Sequence, residues 1–250
     1  MAYKLINMPG GQLVFSIERP ERRNAVNYAV MDGLKEAIRL SKEPYVTGLV
    51  ITGSGNAFCS GGDLSIFHGL ITADEAKQML SRMAGILYEL MTLTKPTVAL
   101  LNGTAVGGGC ELAAACDFRI AKDGIRAGFI QGRLGITTGW GGGTILLERM
   151  QPSKALKMLA SAKVYSAKEL MEIGFVDVIT DGELFQACEE FFTDNDGKEI
   201  GVLSAYKQML VRKWRAASLW ERIEEEVGQC SLLWETDAHH EKVAAFLNKR

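Results

Sequence analysis

The chain has 250 residues, of which 47% are apolar and 23% charged, so it can bury a substantial core as one domain or as one domain with a small appendage. Its formal net charge of −2 argues against binding to nucleic acid through bulk positive charge, and no apolar run is long enough to cross a bilayer. The five cysteines form no C-x-x-C pair and histidine is scarce, which excludes the common zinc patterns and predicts reduced thiols.

The first half of the chain alternates predicted strands and helices. The first eleven residues lack the apolar core of a signal peptide, so we expect a cytoplasmic protein, or a matrix protein that has lost a presequence, with no membrane partner. In chain order, the predicted elements are a strand over Gly11–Glu18, a helix over Asn27–Leu40, a strand over Val46–Thr52, a helix over Thr72–Leu93 and a strand over Thr97–Leu101. Asn27 is placed to cap the first helix, and Thr72 with Glu75 forms a capping box for the second. The alternation predicts an α/β core.

The second half is predicted to become mostly helical. Its predicted elements are the loop Asn102–Gly109, a short helix from Cys110, strands over Asp117–Ala121 and Phe175–Ile179, helices over Gly141–Met150, Ser153–Ser161 and Ser166–Ile173, and helix over most of Lys198–Asn248. Near the C-terminus, apolar residues recur at spacings of three and four: Trp220, Ile223, Val227, Cys230 and Trp234. This stripe predicts a helix face covered either by the chain's own domain or by another subunit.

Three consecutive glycines precede Glu111 between a predicted strand and a predicted helix. Glycine permits close approach to the backbone, and the first N–H groups of a helix have no internal partner, so the arrangement suits a negatively charged ligand atom. No GK[ST] motif follows, and the second glycine loop, in Ala57–Leu64, could supply another N–H group. An oxyanion that develops during a reaction, such as that of a thioester, fits better than phosphate. The alternative is a tight turn followed by an acid that is favourable in a first helical turn.

Five motifs in register from about Leu13 to the C-terminus resemble the crotonase, or enoyl-CoA hydratase/isomerase, superfamily. They are RPERRNAV, AFCSGGDL, KPTVALLNGTAVGGGCELAAACDFRIA, LGITTGWGGGT and AFLNKR. The resemblance implies an α/β fold, a spiral of ββα units, with a C-terminal helical region. It places the core with the active site in residues 1–195 and a helical trimerisation or lid region in residues 196–250. It also implies a homotrimer or a dimer of trimers, in which the stripe would meet another subunit.

The same resemblance implies an acyl-CoA thioester substrate, whose carbonyl oxygen accepts hydrogen bonds from the Gly62 and Gly108 N–H groups. Coenzyme A is then part of the substrate, and no metal or separate cofactor is implied. Glu111 matches one of two catalytic glutamates of the hydratases. The implied substrate-binding residues are Ala25, Ser60, Asp63, Leu64, Gly107, Gln131, Trp140 and Lys249. Lys249 is explained nearly as well as a solvated charge of the chain terminus.

The chain departs from the hydratase pattern where the second glutamate is expected, because that position holds Gln131 and no acid lies between Ala127 and Gly143. An amide can orient water but cannot transfer a proton at neutral pH, which argues against efficient hydration. Isomerisation or decarboxylation of a malonyl-type thioester requires only one acid or base. The motifs look closest to the ethylmalonyl-CoA decarboxylase branch, which also lacks the second glutamate.

We therefore expect an enzyme that stabilises a thioester enolate with Glu111 as its acid or base. The hydratase/isomerase group is far larger than the decarboxylase branch, so it is the first expectation and decarboxylation is the alternative. A protein that binds coenzyme A thioesters without catalysis is a third possibility, since members of enzyme families can lose their chemistry.

Overall fold

The structure is a computed structural model that describes residues 1–193 and 200–248. The strands in these residues are β1 (Tyr3–Asn7), β2 (Gln12–Ile17), β3 (Gly48–Gly53), β4 (Ala57–Cys59), β5 (Thr97–Leu101), β6 (Thr104–Val106), β7 (Phe118–Lys122), β8 (Arg126–Gly128), β9 (Tyr165–Ser166) and β10 (Val178–Thr180). Among them, six form one sheet in the order β1–β2–β3–β5–β7–β10, and four form a second sheet in the order β4–β6–β8–β9. The pairs β1–β2 and β8–β9 are antiparallel, and the other neighbours are parallel.

Helices surround both sheets. They are α1 (Tyr28–Leu40), α2 (Leu64–Phe67), α3 (Ala73–Met91), α4 (Gly108–Ala115), α5 (Gly142–Arg149), α6 (Pro152–Ser161), α7 (Ala167–Ile173), α8 (Leu184–Thr193), α9 (Ile200–Ala216), α10 (Leu219–Trp234) and α11 (Asp237–Leu247). Two short 3₁₀ turns cover Pro20–Arg22 and Gln131–Leu134. In the described part of the chain, no helix has the length and apolar character needed to span a membrane.

One strand–strand–helix pattern repeats along the chain. In each of the series β3–β4–α3, β5–β6–α4 and β7–β8–α5, the first strand joins the larger sheet, the second joins the smaller sheet and a helix comes later in the chain. The inner strands β3 and β5 are buried along their whole length, as expected of parallel strands covered on both faces. The predicted α/β spiral of ββα units is confirmed.

Local sequence signals account for the longer helices. The Asn27 side chain accepts a hydrogen bond from the Val30 N–H at 3.0 Å, and Thr72 with Glu75 forms the predicted capping box. The predicted loop Asn102–Gly109 was partly wrong, because β6 lies inside it and α4 begins at Gly108. Three residues are too few to show a strand's period of two, so β6 leaves no pattern in the sequence.

The apolar stripe of α10 is covered by the chain itself. Ile223, Val227 and Cys230 are at most 2% exposed in the core shared with α3. The Trp234 indole N–H donates to the Leu70 carbonyl at 2.8 Å, which anchors the end of α10 beside the start of α3. Of the two predicted explanations for the stripe, packing on the same domain is therefore confirmed. The predicted boundary between residues 195 and 196 lies outside the described residues.

Candidate active site

Three neighbouring strand ends assemble the candidate site. In the smaller sheet β4 pairs parallel with β6, and β6 pairs parallel with β8. The carboxyl ends of adjacent parallel strands lie at one edge of a sheet, so the segments that leave these strands are brought together. Those segments contain Gly62 after β4, Gly107 to Glu111 after β6, and Gln131 after β8.

The loop after β4 is held by a one-residue parallel bridge between Gly62 and Val26. The Val26 N–H donates to the Gly61 carbonyl at 2.8 Å, and the Asp63 N–H donates to the Val26 carbonyl at 2.9 Å. Because the residues on either side of Gly62 make both bonds, the Gly62 N–H points away from Val26. A Cβ atom placed on Gly61 would lie 3.0 Å from the Gly108 nitrogen, so the two glycine loops are in close contact.

The loop after β6 turns directly into α4. Gly107 has φ 58° and ψ −123°, a conformation that glycine adopts without steric cost. Its carbonyl accepts hydrogen bonds from Cys110 at 2.9 Å and from Glu111 at 3.3 Å, which starts the helix. The Gly108 N–H is thereby a first-turn amide with no acceptor within its own helix.

The indole of Trp140 packs against both glycine loops. A side chain on Gly108 would overlap the six-membered ring of Trp140, and a Cβ atom on Gly62 would lie 3.5 Å from the same ring. Trp140 is only 4% exposed, so the ring is fixed by its surroundings. Gly62, Gly107, Gly108 and Trp140 were all predicted at the site, and the structure brings them together.

Glu111 is buried, with 2% exposure, and accepts three hydrogen bonds. Its Oε1 accepts from Gln131 Nε2 at 2.8 Å. Its Oε2 accepts from the backbone N–H groups of Trp140 and Gly142, both at 2.9 Å. The Glu111 side chain therefore lies between the first turn of α4, to which it belongs, and residues 140–144 at the start of α5, whose amides bind it. We call these residues the entrance to α5.

The surroundings of Glu111 favour the neutral carboxyl group. Burial and, second, the charge of Glu226 raise its pKa to about 7, whereas the hydrogen bonds from Trp140, Gly142 and Gln131 act in the opposite direction. The desolvation cost of a buried charge outweighs the hydrogen bonds that stabilise it. Both protonation states of Glu111 are thus populated near neutral pH.

Gln131 lies at the position where the sequence lacks the second acid. Its Nε2 donates to Glu111, while its Oε1 is buried and has no hydrogen-bond partner within residues 1–193 and 200–248. A buried acceptor without a partner is unusual and is available for a donor group that enters the site.

The other predicted binding residues lie on the side of the first glycine loop. Asp63 accepts from Arg19 Nη2 at 2.7 Å and from the Ser65 N–H, so its carboxylate caps α2 and pairs with an arginine. Its burial alone would raise its pKa, but the bonds from Ser65 and Arg19 leave the pKa below the usual value. The structure gives Asp63 a role in shaping the loop rather than a free carboxylate.

Ala25 is held in the same loop assembly, because its carbonyl accepts from Arg19 Nη1 at 2.6 Å. Ser60 is half-buried, and its N–H donates to the Arg23 carbonyl at 3.1 Å. Leu64 is half-buried at the start of α2. Lys249, the remaining predicted binding residue, lies outside the described residues.

The sequence analysis missed Glu226, a second carboxylate close to Glu111. Its Oε1 accepts from the Gly143 N–H at 3.1 Å, and its Oε2 accepts from the Thr144 N–H at 2.7 Å. The sequence contains a signal for it: Glu226 lies three residues after Ile223 and four before Cys230, so it shares a helix face with the buried stripe of α10.

Comparison with known proteins places these features in a family context. A family model described as enoyl-CoA hydratase/isomerase matches residues 9–250. The chain is 33% identical over 247 residues to a crotonyl-CoA hydratase of Syntrophomonas wolfei, with 95% of this chain and 92% of that protein covered. It is 35% identical over 176 residues to an ethylmalonyl-CoA decarboxylase of Xenopus tropicalis, with 70% of this chain and 59% of that protein covered.

Solved structures show the same architecture. The crystal structure of an enoyl-CoA hydratase from Bacillus halodurans superposes with a TM-score of 0.87 at 22% sequence identity. The match covers 98% of this chain and 100% of that one, so the fold is shared along the whole length.

Proposed function

The chain belongs to the enoyl-CoA hydratase/isomerase family of the crotonase superfamily, and on this premise we propose that it decarboxylates a malonyl-type thioester of coenzyme A, such as methylmalonyl- or ethylmalonyl-CoA. The bond between the α-carbon and the substrate carboxylate breaks, and its electron pair moves into the thioester as an enolate. Carbon dioxide leaves, and the α-carbon takes a proton from Glu111. Glu111 then regains a proton from solvent, which balances the cycle.

The enolate oxygen accepts hydrogen bonds from the Gly62 and Gly108 N–H groups in this proposal. The contact between the Gly61 backbone and the Gly108 nitrogen supports it, because two amides can serve one oxygen only from adjacent loops. The Gly62 N–H is directed away from its bridge partner, and the Gly108 N–H has no acceptor in its helix. Coenzyme A enters as part of the substrate, and no residue role in the proposal requires a metal.

The observation that carries the proposal is the environment of Glu111. An ionised Glu111 would repel the substrate carboxylate, whereas burial raises the pKa of Glu111 to about 7 and so favours a neutral form that can donate a proton. Gln131 adds no second charge beside it. The likeness to ethylmalonyl-CoA decarboxylase supports the same substrate class.

The Gln131 amide suits a group that gains and loses a proton. Because Oε2 of Glu111 already accepts two backbone N–H groups, a proton is most easily carried on Oε1, which faces Gln131. The Gln131 Nε2 donates a hydrogen bond to the ionised carboxylate of Glu111. When the side-chain amide rotates by half a turn, its Oε1 can instead accept a hydrogen bond from the protonated carboxyl group. A glutamate at this position would instead repel the ionised form.

Isomerisation or hydration of an enoyl-CoA is the second candidate function. It is favoured by the crotonyl-CoA hydratase of Syntrophomonas wolfei, whose similarity spans nearly the whole of both chains. In isomerisation Glu111 takes a proton from one carbon and returns it to another. In hydration Gln131 orients the water, and Glu111 takes a proton from that water and delivers it to the α-carbon.

Purified protein offered crotonyl-CoA, a 3-enoyl-CoA, methylmalonyl-CoA and ethylmalonyl-CoA in separate assays tests the proposal. We expect carbon dioxide release from a malonyl-type substrate, and we expect Glu111→Gln to reduce kcat by at least about a hundred-fold. Glu172→Gln, a change of an exposed acid on α7, is the matched control and retains full activity. Rapid loss of absorbance from crotonyl-CoA (hydration), or a gain of absorbance from the 3-enoyl-CoA (isomerisation), without carbon dioxide release would favour the second candidate. Binding of all four thioesters without turnover would favour a non-catalytic protein.

We further propose that the chain assembles as a homotrimer or a dimer of trimers and acts in the cytoplasm. The outer face of α9 supports self-association, because Val202, Tyr206, Met209 and Leu210 are each at least 43% exposed. Light scattering of the purified protein gives the assembly size directly.

A further inference from the structure

Two carboxylates from distant parts of the sequence meet at the entrance to α5. Glu111, from α4, takes the backbone N–H groups of Trp140 and Gly142. Glu226, from α10, takes the N–H groups of Gly143 and Thr144. The amides of residues 142, 143 and 144 are consecutive, so the two acids bind neighbouring donors in one turn of helix.

The amides at the entrance to α5 stabilise a negative charge on Glu111 and on Glu226. The two acids are so close, however, that each charge disfavours the other. The first N–H groups of a helix lack internal partners and carry the positive end of the helix dipole, which stabilises a negative charge. Two like charges held on adjacent amides repel each other, so ionisation of one makes ionisation of the other less favourable. Glu226 is half-buried, so solvent screens its charge more than it would screen that of Glu111.

We infer that Glu226 is a positioning residue for Glu111: it fixes the α5 entrance that holds Glu111 Oε2 and places a second carboxylate beside that carboxyl group. Glu226 acts through Glu111 and the backbone, so the inference assigns it no contact with substrate. Its consequence for catalysis rests on the proposed role of Glu111 as a proton donor.

The other groups around Glu111 leave Glu226 as its principal charged neighbour. The adjacent residue on α4 is Cys110, whose own pKa is raised by burial, and α10 contributes Cys230 in addition to Glu226. Both thiols are neutral near pH 7, and Gln131 carries no charge. After burial itself, the charge of Glu226 is the largest influence that raises the pKa of Glu111.

The direct test is a ¹³C NMR titration of the glutamate carboxyl groups, with the Glu111 signal assigned by its loss in Glu111→Gln. Replacing Glu226 by Gln removes the charge and should lower the pKa of Glu111 by about one unit, as expected for one like charge near a buried group. Glu226→Asp restores the charge and should keep the pKa close to that of the wild type. Glu225→Gln, at the exposed neighbouring position of α10, is the matched control and should leave it unchanged.

The titration needs no catalytic activity, so the inference and the proposed function can fail separately. A shifted pKa in a protein that decarboxylates nothing supports the inference and contradicts the function. An unchanged pKa in folded Glu226→Gln overturns the inference, whatever the activity. If Glu226→Gln does not fold, Glu226→Ala is titrated in its place, and a Glu111 pKa equal to that of the wild type overturns the inference.

Discussion

At the scale of single residues, the chemistry depends on the pKa of Glu111, which burial raises and hydrogen bonds lower. Three donors favour the ionised form, and the loss of water together with Glu226 favours the neutral one. The carboxyl group is therefore poised near neutral pH, where it can give up a proton and recover it. A more exposed Glu111 with the same donors would be ionised and would repel a malonyl-type substrate.

The packing of Trp140 against Gly108 gives a prediction for the glycine loop. Gly108→Ala should lower the free energy of unfolding by about 1–3 kcal/mol, because the new methyl group overlaps the indole in a filled core. The same change displaces the Gly108 N–H, so catalysis should fall as well. Urea denaturation and the carbon dioxide assay measure the two effects.

Two further variants control for this prediction. Gly228 lies in α10, where a methyl group would meet no other element of the described chain within 4 Å, and Gly228→Ala should stabilise the helix by about 0.5–1 kcal/mol. Trp140→Leu combined with Gly108→Ala should recover part of the lost stability. A Gly108→Ala protein as stable as the wild type would show that the indole does not fix this loop.

At the scale of helices and strands, a buried ion-pair cluster ties α9 and α5 to the larger sheet. Asp117, at the start of β7, pairs with Lys207 at 2.5 Å and with Arg149 at 3.0 Å. Lys207 also donates to the Lys95 carbonyl at 2.9 Å, and the Arg149 guanidinium lies over the ring of Trp214. Burial alone would raise the pKa of Asp117, but the two cations hold it below its usual range.

Asp117→Asn should therefore destabilise the protein by about 3–5 kcal/mol, because two buried cations lose their counter-charge. Chemical denaturation monitored by tryptophan fluorescence measures the change, since Trp214 lies at the cluster. Asp32→Asn is the matched control: the Asp32 side chain is 63% exposed in its pair with Arg82, and its loss should cost at most about 1 kcal/mol. Equal effects of the two substitutions would contradict this account of the cluster.

Elements with a strong local signal could be predicted from the sequence, and elements without one could not. The caps at Asn27 and Thr72 and the periodic faces of α1 and α3 located those helices within two residues of their observed ends. The strands β4, β6 and β8 have three residues each, which is too short for a period, yet their pairing assembles the site. The helix α8 was also missed.

At the scale of the whole molecule, the C-terminal helices complete the candidate site. The helix α10 packs along α3, and through Glu226 it also holds the entrance to α5. The resemblance to the crotonase superfamily implied the spiral fold, whereas the two glycine loops could be recognised in the sequence itself. Glu111 and Glu226 are 115 positions apart in the chain and bind neighbouring amides of α5. The place of Glu226 beside the stripe of α10 can be read from the sequence, but its proximity to Glu111 depends on tertiary packing.

The dependence of kcat/KM on pH tests the central claim most directly, because an acid and a base with the same pKa give opposite profiles. Glu111 acting as a proton donor is active when protonated. Carbon dioxide release from methylmalonyl- or ethylmalonyl-CoA should therefore be constant well below pH 7 and fall about ten-fold per unit above it. A rate that instead rises through pH 7, or a wild-type protein that releases no carbon dioxide at any pH, would contradict the claim that neutral Glu111 protonates the enolate.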